Sequence, residues 1–134
     1  MSNLEEAIKF YEENLGLKCY AVEEVAEQKV RTAFFKVGQT KIELLESTSP
    51  DGPIGKFIEK KGQGIQHMAI AVKDLPAQLK DAEEKGVMLI DKTPRHGAEG
   101  LNIAFLHPKS TFGVLTELCE NPNEGCGCKS CDCE

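Results

Sequence analysis

The chain has 134 residues, of which 40% are hydrophobic and 28% charged, and a formal net charge of −6. That balance belongs to an ordinary globular protein, and its acidity excludes the basic stripe that a nucleic-acid partner requires. No apolar run approaches the roughly 20 residues of a membrane span and no signal peptide opens the chain, so a cytoplasmic protein with no membrane partner is expected.

The first predicted element is a helix over 3–15. Its apolar residues at 4, 7, 8, 11 and 15 form one stripe, with Asn3 as cap, Glu6 three residues on, and Gly16 as stop. Strands follow near 18–25, 29–37 and 40–46. DGPIGKFIEKKGQG then reads as a short connecting helix that ends at glycine and buries Ile54, Phe57 and Ile58. GIQHMAIAVKDL, residues 64–75, reads as a strand leading into a second helix, which starts at Asp74, carries Pro76 in its first turn and stops at Gly86. Three more strands are expected near 87–92, 101–107 and 113–119.

These elements come in two similar series. SNLEEAIKFYEENLGL from Ser2 aligns with KDLPAQLKDAEEKGV from Lys73, so that Leu4 meets Leu75 and Ile8 meets Leu79 at an offset of 71 residues. VRTAFF from Val30 matches LNIAFL from Leu101 at the same offset, and IELLE from Ile42 matches TELCE from Thr116 at 74. With Gly16 meeting Gly86 after one deletion, four weak matches in one order imply an internal duplication. The expected fold is therefore α+β, two tandem βαβββ modules within a domain over 1–120: module 1 at 1–49, the connecting helix at 50–63 and module 2 at 64–120. Under the offset, Val72 maps to Met1 and His67 maps upstream of the chain. The first strand of module 1 is absent.

Three residues stand out chemically. His67 shares its strand face with Ile65, Ala69 and Ala71, whose alanines leave room above the sheet. Glu43 shares a face with Leu45, and Glu117 with Leu115 and Cys119. A carboxylate among apolar neighbours is costly to bury unless it is paired or binds a metal. Two such glutamates related by the repeat point to one site, and histidine with carboxylates suits Zn²⁺, Mn²⁺, Co²⁺, Ni²⁺ or Fe²⁺. A strand histidine is more often structural and a strand glutamate more often solvated, so the repeat carries the argument. His107, ahead of a proline, is expected to bond a turn. His96, in PRHGAEG, reads as a loop residue.

Five of the six cysteines fall in the last sixteen residues, so the body is not a disulfide scaffold. Residues 121–134 read as a disordered tail in which Cys126, Cys128, Cys131 and Cys133 form C-x-C-x₂-C-x-C. Four such thiols suit a soft metal ion or stay inert; both readings stand.

LEEAIKFYEENLGL, TKIELLE, SPDGPIGKFIEKKGQGIQHMAIAV and FLHPKSTFGVLTEL together resemble the methylmalonyl-CoA epimerases of the vicinal-oxygen-chelate (glyoxalase) superfamily over residues 2–120. The resemblance implies a curved mixed sheet cupping a divalent metal (Co, Mn, Zn or Ni) held by two histidines and two carboxylate or amide groups. Carried over, these are His67, Glu43 and Glu117, the other histidine falling in the absent strand. It also implies an acyl-CoA substrate, a homodimer and α-proton abstraction through an enediolate, with Glu117 as one acid–base residue. In some members the opposite acid–base group lies on the strand matching VRTAFF, where this chain has Thr32, so that role is unassigned. A lactoylglutathione lyase-like isomerase and a non-catalytic binding protein are the alternatives. The absent strand is expected to uncover apolar faces around Phe34 and Leu44, to cost one metal ligand and to make the chain a poor epimerase.

Overall fold

The structure, a computed structural model, describes residues 1–122. The Cys126, Cys128, Cys131 and Cys133 tail lies outside the described residues. The chain divides into two compact units, one over Met1–Gly64 and one from Ile65 onward.

In the first unit, helix α1 (Leu4–Glu13) precedes strands β1 (Cys19–Val25), β2 (Val30–Val37) and β3 (Thr40–Ser47), and helix α2 (Pro53–Lys61) follows. The sheet has the order β1-β2-β3 and both pairings are antiparallel. Asn3 caps α1 by accepting from the backbone N–H of Glu6. Alternation along β2 and β3 sends Ala33, Phe35 and Leu44 toward α1, where they form a core with Leu4. The opposite face carries Thr32, Phe34 and Glu43, because Phe34 pairs with Glu43 across the ladder.

The second unit has strand β4 (His67–Ala71), helix α3 (Leu75–Glu84), and strands β5 (Arg95–His96), β6 (Asn102–Leu106) and β7 (Leu115–Glu120). Its sheet order is β4-β7-β6-β5, with β4 parallel to β7 and the other pairs antiparallel. Asp74 caps α3 by accepting from Ala77 N–H, and Leu75 and Leu79 pack on Ala104 and Leu118.

The duplication is written into the hydrogen bonds. Ala33 pairs with Leu44 and Phe34 with Glu43; Ala104 pairs with Leu118 and Phe105 with Glu117. Glu46 accepts from Leu4 N–H at 3.1 Å, and Glu120 accepts from Leu75 N–H at 3.1 Å. Each carboxylate satisfies one of the donors that a helix start leaves without an internal partner, and each sits where the helix dipole favours negative charge. The Met1 amino group donates to Leu45 O at 2.9 Å, as the Val72 amide donates to Cys119 O at 2.8 Å. Among the described residues no strand precedes α1, so the first unit has three strands and the second has four.

Four expectations need correction. The first helix ends at Glu13, and Leu15 is exposed while Leu17 joins the core. In α2 only Ile54 is fully buried, Phe57 and Ile58 being half-buried. Phe34 and Leu44 are not uncovered, with relative exposures of 0% and 3%. Leu44 sits in the helix-side core and Phe34 stacks on Tyr20 at 5.9 Å between ring centres.

The fourth concerns the strand expected over 87–92, which is not a regular strand. The amides of Ile90 and Asp91 both donate to Phe105 O, while the Asp91 carboxylate accepts from Phe105 N–H at 2.9 Å. A side chain thus takes the place of a ladder carbonyl, and the segment keeps one bridge, Leu89 to Leu106. The strand forms further on instead, at Arg95–His96, so His96 is not a loop residue. Gly97 lets the chain run close to Ile103, since a Cβ there would meet Ile103 Cγ2 at 2.8 Å.

Candidate active site

The second unit gathers its chemistry on the sheet face turned away from α3. Parallel pairing sets Ala69 beside Glu117 and His67 beside Leu115, so His67, Ala69, Glu117 and Cys119 share that face. Phe105, paired with Glu117, joins it from β6. The consequence is a close pair: His67 Nε2 lies 3.0 Å from Glu117 Oε1, with side-chain exposures of 15% and 13%.

The other imidazole nitrogen, Nδ1, lies 2.7 Å from the side-chain oxygen of Gln66. With Nδ1–H donating to Gln66, the Nε2 lone pair faces a carboxylate oxygen; in the other tautomer Nε2–H donates to that oxygen directly. In the first tautomer two acceptors at 3.0 Å repel, and a largely buried carboxylate is itself costly. A cation between them, whether a proton on Nε2 or a metal ion, removes both penalties. Metal bonds of about 2.0–2.2 Å at right angles place two ligand atoms about 3 Å apart, so the spacing fits adjacent ligands on one ion. An acceptor such as Gln66 Oε1 that fixes ring orientation is the outer support that metal-bound histidines regularly have.

Phe105 sets its ring nearly perpendicular to the His67 ring, with centres 5.9 Å apart. Arg95 stacks its guanidinium on the same phenyl ring, 5.4 Å from its centre. Arg95 Nε lies 3.4 Å from Asp91 Oδ2, the oxygen that also accepts from Phe105 N–H. Sequence reasoning missed Arg95, because one arginine in a glycine-bearing stretch has no periodicity to read.

Glu43 belongs to the first unit, on β3 opposite Phe34, at the register position that Glu117 holds in the second. Thr32 is buried at 2% exposure between Glu23 and Leu45 on the neighbouring strands. Its hydroxyl does not titrate near neutrality, so this position supplies no carboxylate-type acid or base. His107 accepts from Lys109 N–H through Nδ1 at 3.0 Å, the turn bond expected for it. His96 is an exposed residue of β5 paired with Asn102. Among the described residues no three His, Cys, Asp or Glu side chains gather around one position, so the local centre is the His67–Glu117 pair. No helix among the described residues is long and apolar enough to cross a membrane.

Two units of one register, the second carrying a histidine–glutamate pair on its sheet, define an α+β protein of two similar modules. The family model for the Glyoxalase/Bleomycin resistance protein/Dioxygenase superfamily matches residues 1–105, and the chain belongs to that superfamily. It is similar to the uncharacterised protein YqjC of Bacillus subtilis, at 48% identity over 118 residues, covering 88% of this chain and 84% of that protein. It is similar to the mitochondrial methylmalonyl-CoA epimerase of Mus musculus, at 37% identity over 117 residues, covering 87% of this chain and 66% of the relative. A solved structure of a Streptomyces coelicolor methylmalonyl-CoA epimerase variant in complex with 2-nitronate-propionyl-CoA superposes with a TM-score of 0.88. Its sequence identity is 35%, and the match covers 92% of this chain and 90% of that one.

Proposed function

We propose that the chain interconverts the epimers of methylmalonyl-CoA, with Glu117 removing or returning the α-proton and His67 and Glu117 holding a divalent metal ion. The observation that carries this reading is the 3.0 Å approach of His67 Nε2 to Glu117 Oε1, a spacing that suits a proton or a metal ion shared between the two. Relatives named for the reaction, and a structural neighbour holding an acyl-CoA ligand, support the substrate class.

The chemistry follows from the two carboxylate oxygens. Oε1 of Glu117 turns to His67, while Oε2 has no protein partner among the described residues and can take a proton from carbon. A bound divalent cation supplies positive charge where the thioester and carboxylate oxygens become electron-rich. Gln66 keeps the imidazole oriented, and Phe105 excludes water from one side of the ring. Return of the proton to the opposite face inverts the centre. The acid for that step is not Thr32. The reading takes with it the cytoplasmic setting expected from the sequence and the homodimer that the resemblance implies.

Epimerisation of methylmalonyl-CoA assayed beside isomerisation of the glutathione hemithioacetal of methylglyoxal tests it. Turnover of the CoA ester with none of the hemithioacetal is expected. The reverse preference overturns the assignment.

A further inference from the structure

Segment 87–92 departs from regular pairing to put the Asp91 carboxylate into the ladder, where a backbone carbonyl would accept from Phe105 N–H equally well. A carboxylate at 17% exposure is the costlier acceptor, so the exchange calls for a second use. That use is Arg95. The oxygen that accepts from Phe105 N–H, Oδ2, also lies 3.4 Å from Arg95 Nε, and the guanidinium lies over the Phe105 ring, 5.4 Å from its centre. Phe105 is thus held at its amide by Asp91 and at its ring by Arg95. Its ring in turn stands at 77° to the His67 imidazole, with centres 5.9 Å apart. The torsion that swings an imidazole about its Cβ–Cγ bond is broad, and a fixed ring against it narrows the range.

We infer that Arg95 is a positioning residue: by pinning the Phe105 ring it steadies the His67 imidazole, and so keeps Nε2 turned to Glu117. The inference rests on the proposed function, in which His67 and Glu117 hold an ion. Gln66 and Glu117 approach the imidazole at its two nitrogens, and Phe105 adds a third contact from the neighbouring part of the sheet. Arginine suits the task because its planar guanidinium stacks on a ring while Nε still reaches a carboxylate, which an ammonium cannot do in one geometry. The Arg95 side chain is about half exposed, at 49%, so its hold on the ring is modest and its effect on His67 is one of degree.

The test uses the whole chain with isotope-labelled histidine, first stripped of metal and read by NMR, then titrated with Co²⁺ in a calorimeter. The Phe105 ring current displaces the ring-proton resonances of His67. Arg95→Ala is expected to move those resonances toward the values of a free imidazole, with the His107 resonances in place, and to weaken Co²⁺ binding about threefold, the scale of a half-exposed cation–ring contact. Arg95→Lys, which keeps a cation for the ring, should stay within about twofold of the wild type and guards against misfolding in the alanine variant. In a Phe105→Leu background Arg95→Ala should cost no further affinity, because the ring through which it acts is gone. Unmoved His67 resonances in Arg95→Ala overturn the inference. So does an undiminished loss in the Phe105→Leu background. Tighter Co²⁺ binding in Arg95→Ala also overturns it, being what removal of a nearby positive charge gives by itself. Failure of the function proposal looks different: a wild-type chain that takes up no Co²⁺ removes the metal site, while the metal-free His67 resonances still decide the role of Arg95.

Discussion

His67 Nε2 and Glu117 Oε1, 3.0 Å apart on neighbouring strands, make the smallest feature that asks for an explanation, and a shared proton or metal ion answers it. The strands fix the backbones of His67 and Glu117 by parallel pairing, and Gln66 fixes the ring, so the pair cannot relax by swinging apart without losing those bonds. Glu117→Gln keeps shape and some ligand capacity but removes the basic oxygen. It should lower exchange of the methylmalonyl-CoA α-proton with solvent by at least about 100-fold, the usual scale for a positioned base. Unchanged exchange would move the base elsewhere. Gln66→Ala should act more weakly, lowering metal affinity about 10-fold or more by freeing the imidazole, with protein stability little altered. Equal metal affinity in calorimetric titration would remove that role.

Helix α2 shows how an element can oppose its own intrinsic preference. Gly55 lies within it, and glycine in a helix interior is about 1 kcal/mol worse than alanine. Here a Cβ would come within 2.9 Å of both Ser49 O and Pro50 O, which are backbone atoms of the turn leading into the helix. Gly55→Ala should therefore destabilise, by about 1–3 kcal/mol, and lower Tm by several degrees. A raised Tm would show that the turn gives way. Much of this scale was legible in the sequence. Asn3 and Asp74 announced the helix starts, and matched offsets predicted that Glu43 and Glu117 would hold equivalent rungs. The segment 87–92 misled because alternation cannot reveal that the Asp91 side chain replaces a carbonyl in the ladder. Arg95 was invisible for a related reason. Its meaning lies in a ring ten residues away, reached only by folding.

At the scale of the whole molecule, duplication gives each unit a helix, a core and a carboxylate at the same rung, while only the second unit holds a histidine beside its glutamate. A net charge of −6 does not attract a polyanionic thioester at long range, so its recognition would fall to a few placed cations and backbone amides. The most direct measurement is uptake of solvent deuterium at the α-carbon of methylmalonyl-CoA, followed by NMR on protein stripped of metal by a chelator and again after addition of Co²⁺. The account predicts little uptake in the stripped protein and catalysed incorporation of deuterium once the ion is restored. Equal uptake in both states would contradict the metal-assisted centre, and no uptake in either would contradict the epimerase itself.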